Sequence, residues 1–84
     1  MKIEVVGTGC PTCKQLYALT LRAAVRIGDE AKVEYVAEAA GMKRLLELGL
    51  MRSPAIVVDG KVAMVGYEPS IDGIKDRILE AAAK

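Results

Sequence analysis

The sequence predicts an α/β fold in which three helices flank a four-stranded mixed sheet. Short β-branched segments alternate along the chain with longer amphipathic segments, and an Asp59-Gly60 turn separates two neighbouring β-branched runs. The predicted element order is therefore β-α-β-α-β-β-α. With 84 residues, 52% of them hydrophobic, the chain is expected to form one domain over 1–84.

The first half of the chain predicts a strand, a helix and a second strand. The segment KIEVVG is rich in β-branched residues and ends at Gly7, as a strand does. A helical pattern then runs from Cys13 to Ile27 and ends at Gly28. Its apolar face consists of Leu16, Leu19, Thr20, Ala23 and Ile27. The alternating segment KVEYV, residues 32–36, predicts a second strand, which a right-handed crossover places parallel to the first.

The next segments predict a second helix and a hairpin. Met42, Leu45 and Leu46 recur at helical spacing between about Glu38 and Leu48. The segment SPAIVVDGKVAMVG then places Asp59-Gly60 between two β-branched runs, and both residue types tolerate the positive φ of a tight hairpin turn. These two strands are expected to be antiparallel and to complete the mixed sheet.

The end of the chain predicts a third helix. Ser70, preceded by Pro69, is a suitable N-cap because its hydroxyl can accept a hydrogen bond from the first turn. The buried side of this helix is expected to carry Ile71, Ile74 and Ile78. The helix is expected to end at Lys84, where a cation favours the negative end of the helix dipole.

Composition and charge exclude several classes of function. The 12 Lys and Arg residues against 11 Asp and Glu residues give a formal charge of +1 without any basic run, so we expect no nucleic acid partner. No segment approaches the ~20 apolar residues of a membrane span, and the opening MKIEVVG is not typical of a signal peptide. We therefore expect no membrane association and a cytoplasmic location, where thiols stay reduced. The absence of histidine excludes metal sites and nucleophile pairs that depend on it.

Both cysteines lie in the segment GTGCPTCKQL, with two residues between them. Cys10 and Cys13 at i and i+3 in a first helical turn lie on one side and within disulfide reach. The ring that they could close is too small to stabilise the fold, so a disulfide here would serve chemistry. Pro11 suits a first helical turn because its missing N–H costs nothing there. Thr12 completes the pair of residues between the cysteines.

The position of the motif predicts different roles for the two thiols. Cys10 would sit at the N-terminal end of the helix, where unpaired backbone N–H groups and the helix dipole lower a thiol pKa from its usual value of about 8.5. Lys14 adds a nearby positive charge. Cys10 is therefore the predicted nucleophile, and Cys13, one turn further in, is the predicted resolving thiol. The alternative is two inert cysteines in a reducing cell.

With its CPTC motif after a strand and its proline at the start of a hairpin strand, the chain resembles the thioredoxin/glutaredoxin superfamily. The segments GTGCPTC and SPAIVVDGKV carry the resemblance, which is greatest to the small, glutaredoxin-like prokaryotic redox-active disulfide proteins. It implies a minimal thioredoxin-like fold and a thiol-disulfide oxidoreductase that uses Cys10 and Cys13. It also implies protein disulfide substrates, a disulfide reductase as electron donor, and no cofactor.

The resemblance also assigns three residues outside the CxxC motif. Pro54 would follow a cis peptide bond and lie against the dithiol, and Ser53 would offer its backbone to an extended substrate segment; alternatively, Pro54 simply begins a strand. Glu4, six residues before Cys10, stands where thioredoxins place a buried acid that accepts the proton of the second thiol. The alternative for Glu4 is an ion pair with Lys2.

Two other functions use the same residues. Heavy-metal-associated domains also carry a CxxC between their first strand and helix and bind copper through it, but their hairpin follows the second strand directly. A structural zinc site would need two further ligands, and Met42, Met51 and Met64 are interpreted as core residues rather than metal ligands. An interaction module could use the basic face of Lys14, Arg22 and Arg26. We expect no metal.

Overall fold

The computed structural model describes residues 1–9 and 11–83. Its elements are β1 (Lys2–Val6), α1 (Pro11–Ile27), β2 (Lys32–Val36), α2 (Glu38–Glu47), β3 (Ala55–Val58), β4 (Lys61–Val65) and α3 (Ile71–Ala82). The sheet has the order β2-β1-β3-β4, in which β1 and β2 are parallel and the other two pairs are antiparallel. This confirms the predicted α/β fold and its minimal thioredoxin-like arrangement.

The helices α1 and α3 cover one face of the sheet. Alternate residues of a strand point to opposite faces, and the residues that point to this face are apolar and buried. The main members of this core are Ile3, Val5, Leu16, Ile56, Val58, Ile74 and Ile78. The predicted apolar faces of both helices are therefore the faces that pack on the sheet.

The helix α2 covers the opposite face, where its packing differs from the prediction. Leu45 packs with Val6 and Val57 in a smaller cluster, but Met42 is 56% exposed and Leu46 is 79% exposed. The residues of α2 that face the sheet are Gly41 and Leu45, one turn apart. Leu45 is therefore the one member of the predicted stripe that packs on the sheet, and Met42 and Leu46, each one position further along the helix, point away from it. Met51, 99% exposed, is also not a core residue.

The hairpin turn and the last helix follow the sequence closely. Asp59 and Gly60 have φ values of 49° and 83°, the backbone that a two-residue turn between twisted strands requires. The hydroxyl of Ser70 accepts a hydrogen bond of 3.1 Å from the backbone N–H of Gly73, which confirms the predicted cap. The helix runs to Ala82, and the end predicted at Lys84 lies outside the described residues.

Candidate active site

The CxxC motif follows β1 in the chain and leads into α1. Helix α1 begins at Pro11, and Pro11, Thr12 and Lys14 are exposed on its first turns. Cys10, the predicted nucleophile, lies outside the described residues. The first turn of α1 has backbone N–H groups without partners inside the helix, so this is an electropositive end of the molecule.

Cys13 is fully buried and lies against Gly7 and close to Pro54. The position that a Cβ atom on Gly7 would occupy is 2.6 Å from the Sγ of Cys13 and 3.8 Å from the Cβ of Pro54. Cys13 has 0% exposure, and Gly7 and Pro54 are buried as well. The fold thus brings the second cysteine, the end of β1 and the start of the third strand together at one point.

Gly7→Ala should slow disulfide exchange, because the added methyl group must displace either the sulfur of Cys13 or the backbone that carries it. A misplacement of about 1 Å at a reacting group can lower the rate on the order of 100-fold. We therefore expect the rate of insulin disulfide reduction to fall by at least about tenfold. The control is Gly73→Ala, where the added Cβ meets only the side chains of Glu68 and Ser70, at 3.4 Å. Equal exchange rates per folded molecule in the two variants would contradict the prediction.

The segment before β3 presents an exposed residue followed by a buried one. The Ser53–Pro54 peptide bond is cis, Ser53 is exposed and Pro54 is buried. The carbonyl of Pro54 accepts a hydrogen bond of 2.7 Å from the N–H of Gly66, just after β4. This bond fixes the start of β3 beside Cys13 and leaves Ser53 accessible to solvent.

Glu4 is buried in the central part of the sheet and pairs with a cation from α2. Its carboxylate accepts a hydrogen bond of 3.2 Å from Nη2 of Arg44, and its side chain is 9% exposed. The predicted alternative of a pair with Lys2 is wrong, since Lys2 lies 3.9 Å from the carboxylate of Glu34. No local pattern points to Arg44 as the partner of Glu4, because only the packing of α2 on the sheet brings these two residues together.

A second glycine contact holds α2 against the loop that leads to the CxxC motif. A Cβ atom on Gly41 would lie 1.8 Å from the carbonyl oxygen of Gly7 and 2.8 Å from that of Val36. The N–H of Gly7 also donates to the carbonyl of Val36 at 2.9 Å. The only local signal for this contact is the glycine itself, since an isolated glycine inside a helical pattern costs about 1 kcal/mol relative to alanine and indicates a packing reason.

An apolar groove of about 240 Å³ lies between the CxxC loop and the Ser53 segment. It is lined by Thr8, Met42, Leu45, Leu46, Leu50, Met51, Arg52 and Ser53. The exposed methionines and Leu46 therefore face the groove beside the candidate site rather than the core. Methionine side chains are polarizable and adapt to varied apolar surfaces.

Two features are absent from residues 1–9 and 11–83. None of the helices there is long and apolar enough to cross a membrane. In the same residues, no three His, Cys, Asp or Glu side chains are grouped as they would be around a metal ion.

Comparison with known proteins gives consistent matches along the chain. The family model described as Thioredoxin domain matches residues 1–79. A thioredoxin of Methanothermobacter thermautotrophicus is 36% identical over 75 residues, which cover 89% of this chain and 94% of the relative. A thioredoxin of Methanocaldococcus jannaschii is 29% identical over 82 residues, covering 93% of this chain and 96% of the relative. No solved structure gives a significant match.

These matches agree with the fold. The family model covers all seven elements, since α3 has only its last turn beyond residue 79. The thioredoxin relatives align over nearly their whole length, so the likeness is not confined to the CxxC motif. The chain belongs to the thioredoxin superfamily and is an oxidoreductase of the thioredoxin type.

Proposed function

We propose that this chain exchanges a disulfide with protein partners, with Cys10 as the nucleophile and Cys13 as the resolving thiol. The observation that carries the proposal is the burial of Cys13 against Gly7 beside Pro54, at the first turn of α1. A fully buried thiol cannot meet a disulfide on a large partner, but it can attack the sulfur of a cysteine three residues before it in the chain.

The proposed reaction has two thiol-disulfide exchange steps. The thiolate of Cys10 attacks one sulfur of the partner disulfide, forms a mixed disulfide and releases the other partner sulfur as a thiolate, which takes up a proton. The thiolate of Cys13 then attacks the sulfur of Cys10 and releases the second partner thiol. The partner disulfide gains two electrons, and the chain ends as the Cys10–Cys13 disulfide. A disulfide reductase would return the two electrons.

Three other residues receive supporting roles in the proposal. The backbone of Ser53 pairs with an extended segment of the partner, which binds as an added strand. Pro54 holds this substrate ledge, the backbone of Ser53 and Pro54, beside Cys13. Glu4, with Arg44 as its counter-ion, accepts the proton of Cys13 when that thiol attacks. Pro11 and Thr12 separate the two thiols on the exposed first turn, and Lys14 adds positive charge there.

The accessible apolar groove supports a protein rather than a small molecule as the partner. Its lining residues Leu46 and Met51 are largely exposed and adjoin the Ser53 segment, so a partner chain on the ledge would cover them. We place this exchange in the cytoplasm, because a lone CxxC pair in a chain without other cysteines is typical of a reducing compartment.

The test is a redox titration of the purified protein. The protein is equilibrated across a dithiothreitol series, alkylated and weighed, and its metal content is assayed in the same sample. We expect a reversible two-electron transition between Cys10 and Cys13 without bound metal. A protein that carries copper on its thiols and shows no reversible transition would overturn the proposal and favour a metal carrier.

A further inference from the structure

We propose that Glu38 is a specificity-determining carboxylate of the CxxC site, which lowers the thiolate fraction of Cys10 and disfavours anionic reactants. The inference rests on the proposed function for the role of Cys10. It adds a substrate preference: disulfides with neutral or cationic surroundings should react faster than anionic ones such as glutathione disulfide.

The side chain of Glu38 lies against the residue that precedes the nucleophile in the chain. The position that a Cβ atom on Gly9 would occupy is 3.2 Å from Cγ and 3.8 Å from Oε1 of Glu38. Gly9 has a φ of +88°, so both the backbone and the neighbouring side chain favour glycine there. Because consecutive Cα atoms lie about 3.8 Å apart, a charge beside Gly9 is one peptide unit from Cys10.

The backbone of Glu38 provides a second, independent observation. Its φ is 56°, in the left-handed region that glutamate rarely occupies, at the first residue of α2. Such conformations are concentrated at functional sites, where the surrounding structure holds them. The strained residue is thus the same residue whose side chain reaches the CxxC loop.

The charges around this end of the molecule have both signs. Lys14 lies near the start of α1, four residues after Cys10 in the chain, and Arg52 lines the groove next to Ser53. Glu38, an exposed side chain on α2, is the acid that touches the loop itself. Its negative charge opposes the effect of the two cations and of the helix N-terminus on the thiolate. Removing it should therefore make Cys10 more acidic and more reactive toward anions.

The first measurement is the pH dependence of Cys10 alkylation by iodoacetamide. In a Cys13→Ser background Cys10 is the only thiol of the chain, so the rate reports on it alone. Glu38→Gln should move the midpoint down by about 0.3 to 1 pH unit, as expected when one nearby unit charge is removed. Glu38→Asp, which keeps the charge, should stay close to the parent profile. An unchanged midpoint in Glu38→Gln would overturn the inference.

The matched control is Glu30→Gln, which removes the same charge at the opposite end of the sheet. Glu30 is exposed and precedes β2, whereas the CxxC loop follows the parallel strand β1. Its profile should match that of the parent. A shift as large as that of Glu38→Gln would mean that the net charge of the protein, rather than the position of Glu38, determines the pKa of the Cys10 thiol. That result would contradict the inference.

The second measurement compares anionic iodoacetate with neutral iodoacetamide at a pH where the thiol is fully ionised. Glu38→Gln should raise the ratio of the two rates by about two- to fivefold, and added salt should reduce this gain. A ratio unaltered by the substitution would overturn the charge preference. Neither measurement needs a partner protein or turnover, so failure of the proposed exchange reaction would be seen separately in the redox titration.

Discussion

Replacing Cys10 with serine should abolish disulfide exchange, whereas replacing Cys13 should allow the first exchange step and stop the second. Cys13 is 0% exposed, and the chain has only two cysteines. A partner disulfide can therefore be attacked only through Cys10. Removal of a nucleophile should lower turnover by at least ~1,000-fold.

The two variants are distinguished by the intermediate that each can form. Cys13→Ser, incubated with an oxidised partner protein, should accumulate a mixed disulfide on Cys10 that is visible by mass spectrometry without reductant. Cys10→Ser should form none, because serine is not a nucleophile toward disulfides and the remaining thiol is buried. A mixed disulfide on Cys13, or an unaltered exchange rate without any trapped partner, would reverse the assignment of roles.

Much of the fold could be predicted because the elements have clear local signals. The alternation in KVEYV, the Asp59-Gly60 turn and the Ser70 cap each involve residues close together in the chain. Pro11 suits a first helical turn, and α1 begins there, two residues before Cys13, where the helical pattern in the sequence begins. These features require no knowledge of which helix packs on which face.

What could not be predicted depends on contacts between distant elements. The partner of Glu4 is Arg44, forty residues away, and only the docking of α2 brings them together. The exposed Leu46 follows from the same docking, because Gly41 and Leu45 face the sheet and the next residue along a helix is rotated by about 100°. Helical spacing predicts that a stripe exists, but it does not fix which of two adjacent stripes meets the sheet.

The site shows the same division between local and distant information. The CxxC motif and Pro54 were identified from the sequence because their residue types carry chemistry. Gly7 and Gly41 have no reactive group, and their importance lies in the space that they leave empty. Nothing in the local pattern says which carbonyl or sulfur will occupy that space.

Gly41→Ala should strongly destabilise the protein, even though alanine is the better helix former. In a helix interior the substitution alone would add about 1 kcal/mol of stability. Here the new methyl group would lie 1.8 Å from the carbonyl oxygen of Gly7 and 2.8 Å from that of Val36. Both are backbone atoms, so no change of side-chain rotamer can relieve the contact, and α2 must move away from the sheet. Overpacking of this kind costs about 3 kcal/mol or more.

Gly73→Ala provides the matched control, because Gly73 also lies in the first turn region of a helix. Its added Cβ would meet only the side chains of Glu68 and Ser70, both at 3.4 Å. We expect Gly73→Ala to raise the free energy of unfolding by about 0.5–1 kcal/mol and Gly41→Ala to lower it, in urea titrations with dithiothreitol present. If Gly41→Ala is as stable as the parent, α2 does not press on the CxxC loop. Because helix propensity acts in the same direction in both variants, a difference in sign comes from the packing of α2 against the backbone of Gly7 and Val36, and Gly7 is the residue that also contacts Cys13.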